Sequence, residues 1–307
     1  MPDLDPRALL LEELLRERIL VLDGAMGTAI QALDLAADDF GGPELEGCNE
    51  VLVETRPDVI LAIHRGYFDA GADIVETDTF GGTPIVLAEY GLADRARALN
   101  KRAAELAVQA SGEAQTPDRP RFAAGSIGPT TKAITVTGGI TFDGLRETFF
   151  IQAAGLIEGG VDLLVVETQQ DTRNVKAALL AIEDAFAATG RRVPVMVSGT
   201  IEATGTMLAG QGVEAFYTSV MHTDLLSVGL NCATGPEFMT DHIRSLAGLS
   251  KSRISCIPNA GLPDSEGRYL ETPAGIARVL ERFVDLGWLN LVGGCCGTTP
   301  AHIESLA

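Results

Sequence analysis

Apolar residues along this chain fall into two alternating patterns. The first is the short unbroken run: ILVLDGAMG from Ile19, ADIVETDTF from Ala72, RFAAGSIGPT from Arg121, VDLLVVETQ from Val161, VPVMVSGTI from Val193, SVGLNCATG from Ser227, RISCIPNAG from Arg253 and LNLVGGCCG from Leu289. Runs without polar alternation mark strands buried on both faces, as in a parallel sheet. The second pattern sets apolar residues at helical spacing among Ala, Leu and charge. In ETRPDVILAIHRGYFDAG, Val59, Ile60, Ile63 and Tyr67 share one face, Pro57 suits a first turn and Gly71 is a stop. The same spacing predicts helices over 99–110, 145–158, 173–188 and 272–286.

Eight such runs alternating with helices in 307 residues predict a single-domain (β/α)8 TIM barrel. A doubly wound open sheet is the competing architecture. The barrel is preferred because the count is eight and because reactive residues follow the runs, where a barrel would gather them on one rim. Asp5 and Pro6 open a helix over about 6–18 that is expected to cover the barrel base. The long loop 31–54, with Gly41, Gly42, Pro43 and Gly47, is expected to fold over the rim. After the eighth run the chain has only residues 298–307, a turn or two in place of a full closing helix. The expectation is a truncated closing helix and a domain, 1–307, excised from a longer multidomain chain.

Composition narrows the function. Hydrophobic residues are 46% of the chain, enough for a sizeable core. Acidic residues number 42 against 23 basic, a net charge of -19, which repels phosphate backbones and anionic lipid. Neither nucleic acid nor a membrane surface is expected as a partner. The first residues lack the basic start and apolar core of a signal peptide, and no run approaches a membrane span. Five irregularly spaced cysteines fit reduced thiols better than a disulfide framework. A cytoplasmic protein is expected.

The thiols are also the sharpest candidate chemistry. Cys232 follows the sixth run, and Cys295 and Cys296 follow the eighth, flanked by Gly293, Gly294 and Gly297. A barrel delivers the ends of all strands to one mouth. Three thiolates there suit zinc at Zn–S distances of about 2.3 Å, with a fourth position left for substrate. The glycines are expected to take backbone angles that let both neighbouring sulfurs turn inward. Spacing alone leaves Cys232 open between ligand and small core hydrophobe. Cys256, inside the seventh run, reads as core, and Cys48 has no evident partner. His64, His222 and His242 fall in helical segments, and His302 lies past the cysteine pair on the closing helix, so none is taken as a ligand. Asp23 and Glu167 end the first and fourth runs and should face the mouth, with rim solvation or a structural ion pair as the alternative. The turn from Gly24 and Ala25 to Thr28 offers backbone N–H groups to a small anion. A carboxylate pair beside such a cradle would hold the two ends of an amino acid. Glu76, Asp78, Thr79, Asn231 and Asn259 complete a polar rim.

The combination DGAMGT, ETDTF, GLNCA, PNAGLP and VGGCCGTTPAHI, spread from about Leu20 to Ile303, resembles the homocysteine methyltransferase family. Within it, GCNEVLVETRPDVI, YFDAGADIVETDTF and IPNAGLP are most similar to the N-terminal homocysteine-binding barrel of cobalamin-dependent methionine synthases. The resemblance implies zinc on Cys232, Cys295 and Cys296. It implies L-homocysteine held by Asp23, Glu167 and the Gly24–Ala25–Thr28 turn, with Asn259 near the metal as a ligand when substrate is absent. The implied reaction is methyl transfer from methylcobalamin, carried with a folate-binding domain elsewhere on the parent chain, to give methionine. Two alternatives stand beside it: a standalone enzyme using betaine or S-methylmethionine, and a non-catalytic barrel with a structural zinc. Asp78 stands where the family pattern has Asn, which alters the local hydrogen bonding but not the implied zinc site.

Overall fold

Eight parallel strands are paired in the order β1-β8-β7-β6-β5-β4-β3-β2. They are β1 (Leu20–Val21), β2 (Ile74–Glu76), β3 (Phe122–Ile127), β4 (Leu163–Gln169), β5 (Val195–Gly199), β6 (Ser227–Asn231), β7 (Arg253–Ile257) and β8 (Leu291–Val292). In this computed structural model, which describes residues 5–307, a parallel bridge between Leu22 and Ile74 completes the ring. Asp23 N–H donates to the Ile74 carbonyl at 2.9 Å beside it. The fold is the (β/α)8 TIM barrel that the apolar runs predict. Their continuity has a plain cause, since β3, β4, β5 and β6 are buried along their whole length.

The helices begin where the sequence carries start signals. Pro57 opens the helix Pro57–Asp69. The helix Phe142–Glu158 starts three residues before the predicted 145 because Thr141 caps it, accepting from Gly144 N–H at 3.1 Å. Asp171 and Thr272 do the same for Thr172–Thr189 and Pro273–Asp285. His242 lies in the helix Thr240–Leu249 as expected, although that helix buries only Ile243 and Leu246. His222 does not lie in a helix: the helix Val213–Val220 is only eight residues long and has ended in a turn before it. After β8 the chain forms the short helix Pro300–Glu304.

The barrel has a closed end and an open one. Leu20, Phe122, Leu163, Met196 and Leu291 fill its interior, joined by Leu11 and Leu15 from the helix Pro6–Glu17. Ion pairs bind that helix across the base: Arg7 to Asp162 at 2.8 Å and Glu12 to Arg253 at 2.6 Å, both at the N-terminal ends of strands. Leu11 is fully buried. Leu11→Ala should therefore cost about 2–5 kcal/mol of stability, read from the midpoint of denaturant unfolding. An unchanged midpoint would show that the helix is peripheral to the core.

At the open end the loop 31–54 folds over the rim as expected. Phe40, Cys48, Val51 and Leu52 are buried there in a core of their own with Leu87 and Leu99. Among the described residues no helix is long and apolar enough to cross a membrane.

Candidate metal and substrate site at the barrel mouth

A cavity of about 270 Å³ opens at the C-terminal ends of the strands. Its walls come from residues at or just past the C-terminal ends of β1, β2, β3, β4, β6, β7 and β8, and from Asn49 and Glu50 of the rim loop. A larger hollow of about 410 Å³ lies among Phe186, Arg192 and Leu225 at the base. It carries no cysteine, and its Arg192 is already paired with Glu183 at 2.5 Å. The reactive groups are at the mouth.

The sulfurs of Cys232, Cys295 and Cys296 all lie within 4.8 Å of one another, and Cys232 and Cys296 are 3.9 Å apart. Tetrahedral bonds of about 2.3 Å to zinc require sulfurs about 3.8 Å apart, so this donor set fits one zinc ion. The backbone is bent to bring them there. Cys232 and Ala233, just after β6, sit at φ 61° and 57°, a region that costs a non-glycine residue about 1 kcal/mol or more. Cys232 is held by its N–H to the Ile257 carbonyl at 3.2 Å. Cys295 donates to the Pro258 carbonyl at 2.8 Å, and the Cys296 carbonyl accepts from Ala260 N–H at 2.9 Å. The flanking glycines act differently from expectation. Only Gly297 uses the left-handed region, at φ 79°. Gly294 instead makes room, since a Cβ there would lie 2.4 Å from Thr298 Oγ1, whose hydroxyl donates to the Cys295 carbonyl at 2.7 Å.

Without a metal the three thiols share charge. Hydrogen bonds from Cys232 and Cys295 pull Cys296 down to about 3, and Tyr269 adds to this. Cys295 is pushed well above the usual thiol value by its hydrogen bonds to the same two neighbours and by burial. Such a cluster is poised to give up protons to a cation.

Around the sulfurs the wall is acidic. Glu167 is buried, accepts from Ser126 Oγ at 2.5 Å and from Asn231 Nδ2 at 3.4 Å. Burial pushes its carboxyl up to about 7, with Cys232 adding to the shift and Ser126 opposing it. Asp23 accepts from Glu76 N–H at 3.0 Å and is raised well above the usual range by burial and by Glu167. Glu76 is raised by burial, Glu167 and Asp23, and Asp78 by burial and Glu50. Glu76 Oε1 and Asp78 Oδ2 are buried without a partner. Among the described residues no Lys, Arg or His lines the cavity. A ligand with a positive group would relieve this crowding of acids.

Asn231 braces the site from below. Its Oδ1 accepts from Thr168 N–H at 2.9 Å and its Nδ2 donates to Thr168 Oγ1 at 2.7 Å, holding Thr168 at φ 53°. The same Nδ2 lies 3.9 Å from Cys295 Sγ.

Of the residues singled out from the sequence, the three cysteines, Gly24, Ala25, Thr28, Glu76, Asp78 and Glu167 face the cavity. Asp23 is buried off the cavity wall, its carboxylate on Glu76 N–H. Asn259 is buried, also off the wall, with its N–H on the Thr234 carbonyl at 3.1 Å and its Oδ1 unpartnered. Thr79 serves the scaffold, donating to the Ser126 carbonyl at 2.7 Å. His302 fastens the segment after β7, with Nδ1 on Thr299 N–H at 3.1 Å and Nε2 on the Glu271 carbonyl at 3.0 Å. His64 is fully buried in its helix, and burial lowers it to about 4. Cys256 is core, 3.7 Å from Met239 Sδ. Cys48 is buried too, its Sγ 3.9 Å from Glu50. Ser126, Thr168 and Glu50 were not singled out. Ser126 and Thr168 could have been found by the strand-end rule that found Glu167, whereas nothing local marks Glu50.

Residues 20–307 match the family described as homocysteine S-methyltransferase. The chain is 46% identical over 298 residues to the methionine synthase of Mycobacterium tuberculosis, covering 96% of this chain and 25% of that protein. It is 45% identical over 298 residues to the methionine synthase of Mycobacterium leprae, covering 96% of this chain and 24% of that one. The chain thus spans about a quarter of the length of these curated relatives. Among solved structures, the metallated form of the homocysteine methyltransferase MmuM from Escherichia coli superposes with a TM-score of 0.77 at 24% identity, covering 98% of this chain and 99% of that one. That likeness speaks for the fold.

Proposed function

The chain belongs to the homocysteine S-methyltransferase family, and from that membership we propose that the mouth cavity binds L-homocysteine and presents its sulfur for methylation to methionine. Cys232, Cys295 and Cys296 hold the resident zinc in this reading, and methylcobalamin on another domain of a longer chain is the donor. The observation that carries it is the meeting of three thiols and buried carboxylates around one cavity of about 270 Å³, just below the roughly 300–1,000 Å³ of drug-sized ligand sites. An amino acid is the right size.

Held by Cys232, Cys295 and Cys296, zinc would supply a deprotonated substrate sulfur, since coordination removes a thiol proton outright whereas a free thiol of pKa about 8.5 is only a few per cent thiolate at pH 7. The protein's own residues do the placing. Glu167, with Asp23 behind it, holds the substrate ammonium. The first-turn N–H groups of the helix Met26–Gln31, which no side chain caps, take the carboxylate. With both ends fixed, only the thiol-bearing side chain is free to reach the cysteines. Thiolate formation is worth only about 30-fold. Orientation can be worth about 7–11 kcal/mol, so anchoring of the two ends is the larger contribution.

The donor assignment is supported by the relatives named methionine synthase, of whose length this chain spans about a quarter. Folate-binding and cobalamin-binding domains of the same parent chain would then be its partners, in a cytoplasm that keeps its thiols reduced. The test is methionine formation from homocysteine with each donor in turn, and zinc-free protein as control. Free methylcobalamin should give slow turnover, slow because the isolated barrel lacks the effective concentration of a tethered donor. Betaine and S-methylmethionine should stay at background. Turnover with either, together with inertness to methylcobalamin, would transfer the assignment to a standalone enzyme. A cobalt-substituted protein whose spectrum ignores homocysteine would point to a structural metal.

A further inference from the structure

We infer that Thr298 is a positioning residue that sets the distance between the two ends of the site, its hydroxyl joining the turn after β1 to the cysteine loop after β8. The inference rests on the homocysteine and zinc reading above, in which that turn takes the substrate carboxylate. Thr298 Oγ1 accepts from Ala25 N–H at 3.3 Å and donates to the Cys295 carbonyl at 2.7 Å. A hydroxyl has one proton and two lone pairs, so it serves both partners at once. Glycines make room for it on both sides. A Cβ on Gly24 would lie 2.7 Å from this oxygen, and one on Gly294 2.4 Å from it. Thr298 is buried and is not part of the cavity wall. It therefore acts on the site through the backbone of Ala25 and Cys295.

A second hydroxyl braces the same junction. Tyr67, on the helix Pro57–Asp69, is buried, and its phenol hydroxyl donates to the Ala25 carbonyl at 3.1 Å with the Thr298 carbonyl 3.4 Å away. Thr298 N–H closes a turn on the Cys295 carbonyl at 3.0 Å, and Gly294 N–H donates to the Asp23 carbonyl at 3.0 Å. The turn and the cysteine loop are thus one junction. Homocysteine held by its carboxylate at the turn and by its sulfur at the metal is bound at two points. Each point strengthens the other only while their separation matches the span of the substrate. A turn released from Thr298 keeps its own N–H groups, but it no longer delivers the sulfur to the metal at bonding distance.

Thr298→Val keeps the shape of the side chain and removes both hydrogen bonds. The readout is the ratio of homocysteine dissociation constants, by calorimetry, in zinc-free and zinc-loaded protein, which measures the coupling between metal and turn. A misplacement of about 1 Å can cost about 100-fold, so the ratio should fall by roughly 10- to 100-fold in the valine variant. Zinc content and zinc-free affinity should stay as in wild type. Thr298→Ser, which keeps the hydroxyl, should restore the ratio. Tyr67→Phe, which removes the second tie, should lower it too. A wild-type ratio in folded Thr298→Val, or in Tyr67→Phe should the valine variant not fold, would overturn the inference. So would affinity lost equally with and without zinc, the sign of a merely structural residue. Homocysteine that binds the wild-type protein equally well with and without zinc would instead overturn the reading of the site on which the inference rests.

Discussion

Cys295→Ser is expected to remove zinc and, with it, methyl transfer, while leaving a folded barrel. Zinc affinities of about 10–16 kcal/mol in four-ligand sites put each ligand at roughly 2.5–4 kcal/mol, so the loss should be about two to three decades in affinity. Cys232→Ser should behave alike, because the three sulfurs are mutual neighbours within 4.8 Å and each is needed to surround one ion. The fold should survive for a separate reason. The barrel interior is built from Leu20, Phe122, Leu163, Met196 and Leu291, with Cys295 only partly buried at its edge. Metal analysis and circular dichroism on the same samples make the check. Stoichiometric zinc in either variant would remove that cysteine from the ligand set.

Glu167→Gln is expected to weaken homocysteine binding by about 10- to 150-fold without loss of zinc. The figure corresponds to a charge-assisted hydrogen bond of roughly 1.5–3 kcal/mol. Glutamine keeps the shape, and its amide oxygen can still accept from Ser126, which now bonds Glu167 Oε1 at 2.5 Å. What disappears is the negative charge that faces the substrate ammonium. Asp23 and Glu76 remain close by, which keeps the expected loss finite. Calorimetric titration with homocysteine is the measurement, with zinc content as the control. An unchanged dissociation constant would mean that Glu167 only stiffens the wall and that the ammonium is held elsewhere.

Much of this protein is written locally in its chain. The strands of the parallel barrel are buried on both faces, so each shows as an apolar run whatever its neighbours are. Thr141, Asp171 and Thr272 announce helix starts because a capping side chain bonds backbone only two or three residues away. Gly294, Cys295, Cys296 and Gly297 declare themselves because a close approach and a left-handed turn both demand glycine beside the sulfurs. Tertiary structure decided the rest. The meeting of Cys232 with Cys296 at 3.9 Å depends on ring closure and strand register, which no window of sequence contains. Glu50 reaches the cavity because Phe40, Cys48 and Leu52 anchor its loop to a separate core. The acidity of Asp23, Glu76 and Glu167 depends on burial and on their mutual distances, both products of the closed barrel. Residue type and spacing carry propensity and burial, which act along the chain; the chemistry of the mouth depends on distances across it, and these exist only once the ring is closed.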